Sequence, residues 1–383
     1  MGEVKRVLIY RLGSLGDTLI ALPALHLVAR AFPDAERRML TNFPVNVKAP
    51  PAAAILENSG LVSGYFRYAV GTRSVVELAK LWWELRRWRA DVLVYLGAPR
   101  GVQSAKRDAA FFRLCGVKRM VGVPVTEAMQ LNAFGAETAG GLVELEPEAE
   151  RLARNVAELG DARLGEAASW DLRLTEGELG KASEAIGAEV MPLPKIAVSV
   201  GTKVQAKDWG RENWRALLGR MAAEFPGHAL LLAGAPEESA ASEYAADGWR
   251  AAGGGAVVNL CGRLSPRESA AAFSLARIFV GHDSGPMHLA AAVGTPCVAI
   301  FAARNIPRVW FPFGKQHRVV YHRVDCMGCR LETCVVEAKK CILSITVDEV
   351  VAAVAEVVPG RDGTSSGPRA GELRGKHGGL VQL

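Results

Sequence analysis

The segment from Phe279 to Phe301, FVGHDSGPMHLAAAVGTPCVAIF, constrains the fold of this chain more than any other, because it carries strand, loop, helix and next strand in one short run. Phe279-Val280 closes an apolar strand, Asp283-Ser284-Gly285 supplies a turn able to cap a helix, and Pro286 stands at a first helical position, where no N–H is needed. Met287 to Val293 reads as the helix, Gly294 as its end, and Pro296 to Phe301 as a fully buried strand. Such a helix start presents free N–H groups and a positive dipole end, which makes it an anion site. His288, in the first turn, is expected to point at whatever is bound there.

The same alternation runs through the rest of the chain. Strands are expected at 6–10, 37–40, 64–70, 91–96 and 119–123, with helices at 18–31, 74–89 and 102–115. After weaker signals between Ala136 and Pro194, a second series begins with strand 195–200, helix 211–225, strand 229–233, helix 236–252 and strand 256–260. Ser265-Pro266-Arg267-Glu268 and Thr346-Val347-Asp348-Glu349 are capping boxes that open further helices. The alternation specifies an α/β chain of two doubly wound, Rossmann-like domains. Residues 1–190 are assigned to the first and 191–359 to the second, with Met191-Pro192-Leu193-Pro194 as linker and 360–383 as a disordered polar tail.

Composition excludes several classes. The chain has 383 residues, half of them hydrophobic, enough for two cores. No apolar run approaches the ~20 residues of a membrane helix, so a cytoplasmic protein is expected. The net charge of +6 is modest and its cations are interspersed with acids, which favours an anionic small molecule or a membrane surface over duplex nucleic acid. In the helix SVVELAKLWWELRRWRA, Trp82, Trp83 and Trp88 stand beside Arg86, Arg87 and Arg89, a pattern suggestive of a membrane surface. Val75, Leu78, Ala79, Trp82 and Leu85 nevertheless make a stripe at helical spacing, and core packing is the preferred reading. Cys115, Cys261 and Cys297 suit buried thiols. Cys326, Cys329, Cys334 and Cys341 can satisfy a structural zinc site, but their spacing matches no standard two-knuckle arrangement, so reduced or redox-labile thiols are preferred.

Two loops carry the chemistry. The first, Arg11-Leu12-Gly13-Ser14-Leu15-Gly16-Asp17, follows the first strand; its glycines allow a tight turn where ligands of open α/β sheets bind, and Asp17 either lines that crevice or merely caps the helix. It is not a dinucleotide fingerprint, because Arg11 occupies the first glycine position. The second, Gly201 to Trp209, offers Thr202, Lys203 and Lys207 as a diphosphate clamp, paired with the helix start at Ser284-Gly285-Pro286. No two aspartates stand at i and i+2, so neutralisation by Lys207 and the helix end is expected in place of a metal ion.

RVLIYRLGSLGDTLIALPAL, KDWGRENW and VGHDSGPMHLAAAVGTPCVAIF, in that order across residues 6–301, together resemble glycosyltransferase family 9, the ADP-heptose:lipopolysaccharide heptosyltransferases. The resemblance implies a GT-B fold, an acceptor domain followed by a nucleotide-sugar donor domain facing it across a cleft, and metal-independent, inverting transfer of a heptose or related sugar. The donor would be an ADP-sugar and the acceptor a lipopolysaccharide core or lipid A-type saccharide at the inner face of the inner membrane. No cofactor, metal or nucleic acid is implied for catalysis. By the same resemblance Asp17 is the general base, with Arg11, Gly13, Ser14 and Gly16 forming its loop. Lys207 contacts the donor phosphates and stabilises the departing ADP, Thr202 adds a hydroxyl, and Asp283, Ser284, Gly285 and His288 form the donor loop. Glu237 or Glu238 holds the ribose. The competing readings are a nucleotide-sugar epimerase of the same fold and a non-catalytic nucleotide-sugar binding module.

Overall fold

A computed structural model gives residues 3–43, 52–68, 72, 74–137, 143–358 and 379–382. The chain divides into two compact units, Met1–Glu176 and Gly177–Leu383. In the first, strands β1 (Arg6–Tyr10), β2 (Glu36–Asn42), β3 (Gly64–Tyr68), β4 (Val92–Tyr95) and β5 (Arg119–Val121) form a parallel sheet in the order β3-β2-β1-β4-β5. Strands β6 (Phe134–Glu137) and β7 (Val143–Leu145) make a separate antiparallel ribbon that period-based reading did not anticipate.

The second unit repeats the plan with β8 (Lys195–Ser199), β9 (Ala229–Leu232), β10 (Val257–Asn259), β11 (Ile278–His282), β12 (Cys297–Phe301), β13 (Arg318–Tyr321) and β14 (Gly379–Gln382), in the order β10-β9-β8-β11-β12-β13-β14. All neighbours are parallel except β14, which runs antiparallel to β13. The polar tail expected beyond residue 359 lies outside the described residues apart from that last strand. Strands β8, β11 and β12 are buried along their whole length, as continuous apolar strands covered by helices on both faces must be. Each unit is therefore a doubly wound sheet whose strand order reverses beside its first strand, between β1 and β4 and between β8 and β11.

Two expectations about helices change. The helix expected at 18–31 is two helices, Leu15–Ile20 and Leu22–Ala31, meeting at Ala21. Pro23 lacks an N–H for Leu19 and its ring crowds the carbonyl there, so the ladder restarts. In the helix Val75–Trp88 the buried stripe is Leu81, Leu85 and Trp88, packed on the core of the first unit with Phe66 and Leu93. Val75, Leu78 and Trp82, read as core from their spacing, are exposed, as are Val76 and Trp83. The helix has two apolar faces, and periodicity alone does not say which one meets the sheet.

Candidate functional site

In the first unit the site is built at the carboxyl ends of β1 and β4, where the reversal of strand order leaves a crevice. Arg11, the residue after β1, is buried, and its Nη1 donates to the Leu96 carbonyl beyond β4 at 2.6 Å. Its Nε and Nη2 donate to the Asp17 carbonyl, the former at 3.1 Å. Desolvation pushes the Arg11 pKa down, opposed by the charges of Asp17 and Glu148. Gly13 takes φ +141°, and a Cβ there would sit 2.5 Å from the Asp17 Cβ. Its N–H donates to Asn42 Oδ1 at 2.9 Å. Gly16 lies inside the Leu15–Ile20 helix, so Gly13 alone supplies the turn that sequence reading shared between them.

Asp17, third residue of that helix, has its two carboxylate oxygens in different settings. Oδ2 accepts from Ser14 N–H and Ser14 Oγ, both at 2.7 Å, which is the helix-capping arrangement. Oδ1 accepts no hydrogen bond among the described residues and lies 3.7 Å from Arg11 Nη2. The side chain is 22% exposed, enough for a small hydroxyl to reach it. Asp17 thus caps its helix with one oxygen and offers the other.

In the second unit the corresponding end of the sheet gathers most of the residues singled out from the sequence. Lys207 reaches Asp283 twice, with Nζ 2.6 Å from Oδ2 and 3.0 Å from the backbone carbonyl, and both side chains are largely buried. This links the loop after β8 to the loop after β11. Trp209 N–H donates to His282 Nε2 at 3.2 Å, and His282 Nδ1 lies 3.4 Å from the Gly201 carbonyl, so the last residue of β11 holds both ends of the loop after β8. Burial pushes the His282 pKa down to about 4, leaving a neutral ring. The tryptophans of KDWGRENW are structural. Trp209 and Trp214 are buried edge to face, and Trp209 Nε1 donates to the Ile345 carbonyl at 2.8 Å.

Ser284 caps the Gly285–Ala292 helix, yet its hydroxyl makes no capping bond, and its Oγ is buried without a hydrogen-bond partner among the described residues. A buried hydroxyl without a partner is uncommon in a folded chain, and this one stands at a helix start, next in sequence to the Asp283 that Lys207 contacts. Thr202 Oγ1 accepts from Val204 N–H at 3.3 Å in a local turn. Glu238 and Glu237 separate clearly. The Glu238 carboxylate accepts from Ala235 N–H at 2.8 Å and packs so closely on Gly201 and Gly234 that a Cβ on either would meet it at 2.0 Å and 2.4 Å. Glu237 is exposed. His288 is buried in the helix, within electrostatic reach of His317.

The four late cysteines are free thiols, and among the described residues no group of three or more His, Cys, Asp or Glu is placed to hold a metal ion. Their segment instead straps the Lys207 loop. The Glu332 carbonyl accepts from Ala206 N–H and Gln205 Oε1 from Cys334 N–H, each at 3.0 Å, while Lys339 Nζ donates to the Asp208 carbonyl at 2.9 Å. At the other end Arg304 Nε donates to the Leu331 carbonyl at 2.8 Å. Sequence reading missed His282 and Lys339. The only local signal was a polar residue closing an apolar strand in one case and a lysine in a cysteine-rich loop in the other.

Residues 148–340, half of the chain, match the model of glycosyltransferase family 9 (heptosyltransferase). Lipooligosaccharide heptosyltransferase 2 of Campylobacter jejuni is 27% identical over 95 residues, covering 25% of this chain and 30% of that relative's length. Among solved structures, a glycosyl transferase family 9 protein from Veillonella parvula superposes with a TM-score of 0.68 at 15% identity, over 93% of this chain and 98% of its own. Escherichia coli heptosyltransferase WaaC with ADP-2-deoxy-2-fluoro heptose superposes with a TM-score of 0.57 at 20% identity, over 92% and 100%. These structural likenesses establish the fold, GT-B with two Rossmann-like domains, and the family match over half of the sequence establishes the rest: this chain belongs to glycosyltransferase family 9.

Proposed function

We propose that the protein transfers a heptose or related sugar from an ADP-linked donor to a lipopolysaccharide core or lipid A-type acceptor, with inversion at the anomeric carbon and without a catalytic metal. The observation that carries the donor half is the Lys207–Asp283 pair beside the unpartnered Ser284 hydroxyl at the start of the Gly285–Ala292 helix. That combination of one ammonium, one free hydroxyl and a helix N-terminus suits a diphosphate. A family member bound to an ADP-heptose analogue supports the choice of nucleotide and sugar. The lipooligosaccharide relative supports the acceptor class.

The acceptor half rests on Asp17. Its Oδ1 takes the proton of the acceptor hydroxyl as that oxygen attacks the anomeric carbon, and the bond from that carbon to the β-phosphate oxygen breaks. A single displacement from the face opposite the leaving group inverts the centre. Charge growing on ADP is met by Lys207 and the helix N–H groups. Gly201 and Glu238, close together at the ends of β8 and β9, hold the ribose side of the nucleotide, with Glu238 accepting from a ribose hydroxyl. The four cysteines are read as reduced thiols, of which Cys341 packs in the core of the second unit.

Replacing Asp17 with Asn tests the assignment. Transfer is expected to fall at least a hundredfold while calorimetric ADP affinity stays within twofold. Equal loss of both would remove Asp17 from the role of base.

A further inference from the structure

A second charged site lies in the first unit, at the amino ends of its strands and so at the far end of the sheet from Asp17. A surface cavity of about 790 Å³ is lined by Arg6, Trp83, Arg86, Arg87, Arg89 and Lys118, with the Cys115 thiol at its base. Its one carboxylate, Asp91, is already engaged, accepting from the N–H groups of Lys5 and Arg6 at 2.8 and 2.9 Å. Arg86, Arg87, Arg89 and Lys118 form no ion pair among the described residues. Arg6 has Glu36 at 3.9 Å, but four further cations without a countercharge of their own are a poor element of a stable fold and a good receptor for anions.

Apolar side chains are exposed along the helix Val75–Trp88, which supplies Trp83, Arg86 and Arg87 to the cavity, and at the end of its neighbour. Val75 and Val76 are each 79% exposed, Trp83 60% and Leu114 69%. Trp82 Nε1 donates to the Leu114 carbonyl at 3.1 Å, which joins the helix Val75–Trp88 to the end of the helix Val102–Leu114 in one surface. Neither the Asp17 chemistry nor the packing of the sheet uses this face. Its pattern, apolar and aromatic residues on the exposed side of a helix that ends in three arginines, is that of an element lying in a membrane interface.

We infer that this face docks the protein onto an anionic lipid bilayer, with the cavity taking phospholipid headgroups and Val75, Val76, Trp83 and Leu114 entering the headgroup–acyl boundary. This deepens the reading of a lipid-linked acceptor proposed above, because it gives the enzyme a way to stay on the surface that carries that acceptor. The charges argue against the other occupants. A two-fold contact with a second copy would set one cluster of cations against its equivalent. A nucleic acid would neutralise the arginines and gain nothing from exposed valines.

The test uses the full chain and vesicles of phosphatidylcholine, with and without phosphatidylglycerol. The wild type should float with the anionic vesicles and not with phosphatidylcholine alone, with a blue shift in tryptophan emission and a steep loss on adding salt. Arg86→Gln combined with Arg87→Gln should weaken binding about 25-fold, at roughly fivefold per cation near an anionic surface. Val76→Ser with Trp83→Ser should abolish the blue shift. All four positions are exposed, so circular dichroism and ADP affinity should not change. Equal flotation with neutral vesicles, or variants that bind like wild type, would overturn the inference. So would sedimentation as a dimer that Val76→Ser/Trp83→Ser dissociates, which would assign the face to self-association. Vesicle binding needs no transfer, so Asp17→Asn should float like wild type. Failure of the docking and failure of the Asp17 assignment are thereby separable.

Discussion

Acidification tests how the loop after β8 is held to the end of β11, and the effect can be worked from one ring. His282 has no exposed surface and closes β11, where its Nε2 accepts from Trp209 N–H. Desolvation is the main cause of its pKa of about 4; Lys207 acts in the same direction, while the Gly201 carbonyl, Asp208 and Asp283 oppose it. In the unfolded or opened chain the ring returns to its ordinary value of 6.5. On acidification the open state therefore takes the proton first, so the stability tied to the neutral ring is whole above about pH 6.5 and is lost as pH falls toward about 4. Between about pH 7.5 and pH 5 the loss comes to about 2 kcal/mol, or roughly thirtyfold in the opening equilibrium. Protonation of Nε2 would also place an N–H against the Trp209 N–H, so the loop carrying Lys207 is the part expected to open.

Hydrogen–deuterium exchange of the peptide containing Trp209, corrected for the intrinsic effect of pH, reads this directly. Wild type should lose about thirtyfold in protection over that interval. His282→Gln, which cannot titrate there, should lose severalfold less. If the two proteins lose protection in parallel, the ring is not the proton-linked element and the reasoning fails.

Lys207→Met should weaken ADP binding by about 10–100-fold, the worth of one charge-assisted hydrogen bond, as measured by calorimetry. It also leaves the Asp283 carboxylate buried without its cation; adding Asp283→Asn should recover thermal stability but not ADP affinity. Glu238→Ala should lower ADP affinity at least tenfold and Glu237→Ala not at all, and the reverse order would exchange their roles. Gly13→Ala forces a left-handed backbone on alanine and drives its Cβ into Asp17, so it should cost about 1–3 kcal/mol in the unfolding of the first unit. Transfer should fall with it, and an unchanged melting temperature would show that the loop relaxes freely.

Much of the local structure around the candidate site was legible because it is written in short-range chemistry. The strand–loop–helix segment around Asp283 needs proline, glycine and small polar residues at particular steps, and those steps are visible in a string of letters. The pairing of Lys207 with Asp283 was less so. Both residues had been assigned to the same diphosphate, but 76 positions separate them, and the contact exists only because β8 and β11 are neighbours in the sheet. His282 was overlooked for a related reason. A histidine at the end of an apolar strand looks like the point where the strand meets solvent, whereas here it is enclosed by the Trp209 loop arriving from the other side.

The helix Val75–Trp88 marks the limit from the opposite direction. Its sequence contains two apolar rows, and spacing predicted burial for Leu85, which is buried, but also for Val75, Leu78 and Trp82, which are exposed. Which row faces inward depends on where β3 and β4 leave the helix relative to the sheet, and no local pattern encodes that. The sequence alone determined the alternation of strands and helices, the two-domain α/β class and the positions of the loops at the strand ends, since each follows from propensity and capping within a few residues. Tertiary structure alone decided which oxygen of Asp17 is free, which of Glu237 and Glu238 turns inward, and which face of a tryptophan-rich helix is left to the surroundings. Those are questions of which surfaces meet, and they are settled only when segments far apart in the chain are packed together.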